Sequence, residues 1–125
     1  MDPAPATHLR GRLGEAIACL FLESRGYAIV ARNLRVGRRE LDIVAERGRL
    51  LIAIEVKWRR TEEAATAWRP AQRARAHEAV LGAMAMLPGA AERPWRFDFV
   101  TLEERADGLS LTHHRAAWSP GNRFW

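Results

Sequence analysis

The stretch from Arg39 to Trp58, RELDIVAERGRLLIAIEVKW, constrains the fold more than any other part of the chain. It reads as two apolar strands, Glu40 to Glu46 and Leu50 to Arg60, joined by a tight turn at Arg47-Gly48. Yet Asp42 sits between Leu41 and Ile43, and Glu55 and Lys57 bracket Val56. Burying an ion costs several kcal/mol unless it finds a partner or a metal, so ionisable groups in such a hairpin call for a common purpose.

Strand alternation sets Glu55 and Lys57 on one face, with Ile52, Ile54, Val56 and Trp58 on the other. A two-residue loop at Arg47-Gly48 places Asp42 opposite Ala53 and Glu40 opposite Glu55, which makes Asp42 a diagonal neighbour of Glu55 at roughly 7–8 Å. A four-residue loop places Asp42 directly across from Glu55, on the same face. A three-residue loop would turn one set to the other side.

Acids gathered on one face repel each other, and a divalent cation removes that repulsion. Carboxylate oxygens with open water positions suit Mg²⁺ or Mn²⁺. His8, His77, His113 and His114 do not fall into a zinc spacing, and the adjacent pair His113-His114 reads as surface residues on opposite sides of a strand. Asp42 and Glu55, with the Val56 carbonyl, would hold the metal beside a phosphodiester, and Lys57 would steady the attacking water or the phosphorane.

The other elements place this hairpin in an αβββαββ chain. Leu9, Leu13, Ile17, Leu20 and Phe21 recur at three- and four-residue spacing and predict a first helix over 7–25, stopped by Gly26. Glu15 then points away from that apolar stripe. A strand over 27–33 and a basic connection, LRVGRR, lead into the hairpin. Pro70 suits the first turn of a second helix, with Val80, Leu81, Met84 and Leu87 on its inner face and Pro88-Gly89 as its end. Strands over 95–102 and 109–114 follow. The fold class expected is α/β (α+β), a central mixed sheet flanked by helices, forming a single domain over 1–115 with an aromatic tail over 116–125.

Net charge is +5, from 20 Lys and Arg against 15 Asp and Glu, which points to a polyanionic partner. Lys57 is the single lysine among those 20 basic residues, a compact ammonium where arginine is the default. Arg35, Arg38, Arg39, Arg59, Arg60, Arg69, Arg73 and Arg75 flank the acids in sequence and could grip a nucleic-acid backbone. No uncharged run is long enough to span a membrane, and the start has no secretory core, so a cytoplasmic protein is expected. A single cysteine, Cys19, fits a reducing compartment and a buried packing role.

These motifs resemble the PD-(D/E)XK nuclease superfamily, whose core is αβββαβ, and more closely the YraN family of small bacterial proteins, distantly similar to Holliday junction resolvases. The match rests on GRLGEAIACLFLESRGYAIVARNLR, RRELDIVA, LIAIEVKWRR and RFDFV, about residues 11 to 100. It implies Asp42, Glu55 and Lys57 as a catalytic core and Glu15 as a helix-borne acid reaching the same metal. It also suggests Gln72 as a site residue, where the family often has lysine. Arg39 departs from the family's usual glycine before the acid. The resemblance implies a metal-dependent endonuclease acting on DNA, at branched or damaged sites, and working as a homodimer. Two other readings fit the same residues. One is a nucleic-acid-binding module that keeps the fold without catalysis. The other is a protein-interaction module docking through Trp118, Phe124 and Trp125.

Overall fold

The computed structural model describes residues 3–59 and 70–118, with side chains described for 11–59 and 74–115. The charged hairpin forms as its alternation requires: β2 (Arg39–Arg47) and β3 (Leu50–Arg59) run antiparallel, with Arg47 opposite Leu50 and Ile43 opposite Ile54. The reversal falls one residue later than the sequence suggests, at Gly48-Arg49, with Gly48 at φ 59. Moving a two-residue loop by one position changes every cross-strand partner by two, so no side chain changes face. Arg93 fixes the loop from outside, donating to the Arg49 carbonyl at 2.8 Å and the Gly48 carbonyl at 2.9 Å and pairing with Glu46 at 2.9 Å.

The remaining elements follow the expected order. They are α1 (Pro3–Ser24), β1 (Ala28–Val36), α2 (Pro70–Met86), a single 3-10 turn (Ala90–Glu92), β4 (Trp95–Arg105) and β5 (Gly108–Trp118). The five strands form one sheet in the order β1-β2-β3-β4-β5. β3 and β4 are parallel and every other pair is antiparallel, so the sheet is mixed and α2 lies on the crossover between its parallel strands. Several elements are longer than the sequence predicts: α1 begins at Pro3 and β4 runs on to Arg105. Leu34 to Val36, read as connection, are strand, and the reversal into β2 is Gly37-Arg38, with Gly37 at φ 61. β5 continues through Trp118, into the stretch read as tail; Phe124 and Trp125 lie outside the described residues. Among the described residues no helix is long and apolar enough to cross a membrane.

Each face of the sheet carries one helix and one core. Ala18, Cys19 and Leu22 of α1 pack with Tyr27, Ile43, Ala45, Ile52, Ile54 and Val100. Ala76, Ala79, Val80 and Ala83 of α2 pack with Leu41, Val44, Leu51, Ala53, Trp95 and Phe97. In α2 the expected inner face holds at Val80, Met84 and Leu87 and fails at Leu81, whereas in α1 the buried stripe is rotated away from Leu13 and Leu20. Leu13 and Leu20 are 53% and 69% exposed and Leu81 is 50% exposed, while small residues face the sheet. The reason is close approach. A Cβ on Gly14 would come within 3.2 Å of both Trp58 and Leu102, and one on Gly82 would overlap Val36. α1 then ends as the sequence predicts. Gly26, at φ 90, lets the Tyr27 amide reach the Leu22 carbonyl at 3.0 Å and its own amide reach Glu23 at 3.1 Å.

Candidate active site

The β2–β3 ladder stops at Ile43 and Ile54, and beyond that pair the two strands part. β2 stays with β1, through Leu41 opposite Leu34 and Glu40 opposite Arg35, whereas β3 stays with β4, through Glu55 opposite Phe99 and Lys57 opposite Thr101. The Val56 amide has lost its strand partner here, and the Asp42 carboxylate accepts its hydrogen bond at 2.8 Å. On the α2 side of this fork a cleft of about 220 Å³ opens, lined by Asp42, Glu55, Lys57, Glu40, Arg39 and Arg75 among others. The shared face expected for Asp42, Glu55 and Lys57 is thus the face they occupy.

Burial of Asp42 raises its pKa to about 6. The Val56 hydrogen bond opposes the rise, Glu15 and Glu55 add to it by like-charge repulsion, and Lys57 counters it. Lys57 pairs with Glu55 at 3.1 Å, with side chains 44% and 34% exposed, so water screens that pair and it adds little stability.

Glu15 does not line the cleft but acts electrostatically on Asp42, because α1 lies so close. Gly14, Ala18 and Leu22 form the buried edge of the helix, and Glu15 sits beside that edge, half-buried, rather than pointing away from it. With Gly14 against Trp58 and Leu102, the carboxylate of the next residue falls within electrostatic range of Asp42. Among the described residues, no three His, Cys, Asp or Glu side chains already converge on one point where an ion would sit. The donor chemistry nevertheless fits a hard divalent cation. A half-buried carboxylate is held against two like charges, and Asp42 and Glu55 line one cleft.

The basic residues divide. Arg75 lines the cleft, and Arg39 lines it while tied to Glu78 of α2 at 3.0 Å. Arg35 and Arg38 are exposed on β1 and its turn, and Arg59 is half-buried near the end of β3. Gln72 and Arg73 lie in α2 with side chains outside the described residues, and Arg60 and Arg69 lie outside them altogether.

One charged cluster is missed by the sequence reading. Asp98 is fully buried, bonded by Arg96 at 2.8 Å to each carboxylate oxygen and by His113 at 2.8 Å. His113 is therefore not a surface residue; only His114 of that pair is exposed, bonded to Thr101 at 3.2 Å. The signal was the alternation in WRFDFV, which sets Arg96 and Asp98 on the same side of β4.

Residues 14–102 match the profile of Uncharacterised protein family UPF0102. The chain is 40% identical over 121 residues to a UPF0102 protein of Oleidesulfovibrio alaskensis, covering 90% of this chain and 59% of that relative. It is 35% identical over 114 residues to a UPF0102 protein of Erythrobacter litoralis, covering 88% and 92%. Among solved structures it is similar to Pyrococcus furiosus SfsA in complex with Ca²⁺, at 18% identity and TM-score 0.39, over 87% of this chain and 63% of that one.

Proposed function

The chain belongs to Uncharacterised protein family UPF0102, the YraN family, and we propose that it is a divalent-metal-dependent endonuclease hydrolysing DNA phosphodiester bonds, at branched or damaged sites. The observation that carries this reading is the forked end of β2 and β3, which collects Asp42, Glu55 and Lys57 in one cleft. Asp42 and Glu55, with the Val56 carbonyl, would hold Mg²⁺ or Mn²⁺, and Glu15 would add negative potential behind them. A bound cation there supplies charge stabilisation at the phosphate and acidifies water.

The rest is done by the chain's own groups. The Val56 amide fixes the Asp42 carboxylate, so the acid is held in place before substrate arrives. Glu55 keeps Lys57 at the cleft wall, from where the ammonium can donate to a phosphate oxygen or orient the attacking water. Arg75 in the cleft, with Arg35 and Arg38 on the neighbouring strand and turn, supplies positive charge for the DNA backbone. Incubation with branched, nicked, single-stranded and double-stranded DNA plus Mn²⁺, beside Glu55→Ala and Lys57→Ala, tests the proposal. Cleavage should vanish in both variants; equal cleavage by all three proteins would end it.

The Glu55–Lys57 ion pair also supports a second reading, a DNA-binding module without catalysis. That reading requires strongly salt-dependent DNA binding that ignores both metal and Asp42→Ala.

A further inference from the structure

A second pocket, of about 470 Å³, opens on the α1 side of the sheet and is lined by Phe21, Arg25, Tyr27, Arg47, His113 and Arg115, with Leu111 and Thr112. It shares no residue with the acid cleft. Arg47 stands five residues along β2 from Asp42, about 16 Å of strand, and on the side of the sheet opposite α2.

Three features make it a site for an anion. Arg25 lies over the Phe21 ring at 5.0 Å and Arg47 over the Tyr27 ring at 5.1 Å, with Arg47 also hydrogen-bonded to the Tyr27 side chain, so each guanidinium is positioned by an aromatic neighbour and, with five N–H donors each, can still donate to an anion. Arg115 adds a third guanidinium, and none of the three forms an ion pair with a carboxylate among the described residues. The acid beneath the pocket is already satisfied, since Asp98 is bonded by Arg96 and His113. The C-terminal end of α1 opposes an anion with only about half a negative charge against three positive ones. The aromatic walls are braced too: the Phe21 and Tyr27 rings each meet His113 edge-on at 6.0 Å, and Arg96 donates to the Tyr27 hydroxyl at 3.1 Å. Planar guanidinium forks presented together match the oxygens of a phosphate better than those of a single carboxylate.

We propose that this pocket is a phosphate-binding site, separate from the acid cleft, which takes the phosphate of a nucleic-acid backbone or of a small phosphate-bearing molecule. It does not rest on the nuclease reading and stands if the cleft proves inactive.

The test is titration of the full chain with inorganic phosphate, at constant ionic strength set by chloride, and with a short DNA duplex in the absence of metal. The proteins are wild type, the double variant Arg47→Gln/Arg115→Gln, and Asp42→Asn. Both arginines are exposed, so the double variant should keep the fold. Phosphate should bind wild type and Asp42→Asn equally, shift the His113 ring resonances, and bind the arginine variant at least about tenfold more weakly, the loss of one or two charge-assisted hydrogen bonds. A parallel loss of duplex affinity assigns the phosphate to nucleic acid; unchanged duplex affinity assigns it to a small molecule. No binding to wild type at millimolar phosphate, or equal binding to the arginine variant, overturns the site.

Discussion

Asp42 stands in for a strand: its carboxylate accepts the Val56 amide at 2.8 Å where the β2–β3 ladder has ended at Ile43 and Ile54. The position suits function and taxes stability, because burial lifts the Asp42 pKa from 3.8 to about 6, helped by Glu15 and Glu55. The folded chain thus holds the proton more tightly than the unfolded one between those values. Stability falls as pH rises through that window, and above it the whole cost is present, on the order of 3 kcal/mol. Asp42→Asn removes the ionisation and keeps an oxygen for the Val56 amide. Urea unfolding at pH 7 should show it more stable than wild type by about 1–3 kcal/mol, with the decline between pH 4 and 6 abolished, while DNA cleavage is lost.

A cation in the cleft would reverse the same electrostatics. Mn²⁺ should raise the melting temperature at pH 7, and chelation should lower it again. Below pH 6 protons compete for Asp42, so apparent metal affinity should weaken by up to about tenfold per pH unit. Thermal unfolding at pH 7 and pH 5, with and without Mn²⁺, measures this. Equal stabilisation of Asp42→Asn or Glu55→Gln would locate the ion elsewhere.

The contact of Gly82 with Val36 decides how closely α2 lies on the sheet. In an exposed helix interior, Gly→Ala would gain up to about 1 kcal/mol. Here the added Cβ overlaps a stiff β-branched side chain, and overpacking costs about 1–3 kcal/mol. Gly82→Ala should therefore be a net loss by urea unfolding, and Gly82→Ala in a Val36→Ala background should be neutral or stabilising. Additive losses in the double variant would show that the two residues are not coupled.

The hairpin was legible because a period of two is unforgiving: Asp42, Glu55 and Lys57 had to share a face for either even loop length, and misplacing the turn by one residue moved partners without moving faces. The helices were less legible because hydrophobicity points to the largest apolar side chains, whereas close packing here selects the smallest. Leu13, Leu20 and Leu81 keep helical spacing yet face outward, and Gly14, Ala18, Ala79 and Ala83 face inward with little hydrophobic signal of their own. Glu15 follows the same logic: it points away from Leu13 but sits beside the buried edge that Gly14 and Ala18 form. Arg96 and Asp98 share a side of β4 by alternation, but the third member of the cluster, His113, comes from β5, and pairing across a sheet is invisible until the strand order is known.

That buried acid also yields the sharpest stability prediction. Arg96 donates to both Asp98 oxygens and to the Tyr27 hydroxyl, with its own side chain 18% exposed, so Asp98 is the counter-charge that allows a guanidinium to lie beneath α1. Asp98→Ala would leave that cation half-buried and unpaired beside a cavity, and should cost about 3–5 kcal/mol in urea unfolding. His113→Ala leaves both carboxylate oxygens bonded by Arg96 and should cost less, about 1–2 kcal/mol, the worth of one hydrogen bond and some packing. Asp98→Asn should fall between them, since it keeps the volume and one acceptor but not the charge. If His113→Ala proved as damaging as Asp98→Ala, the histidine rather than the arginine would be the partner that makes burial of Asp98 tolerable.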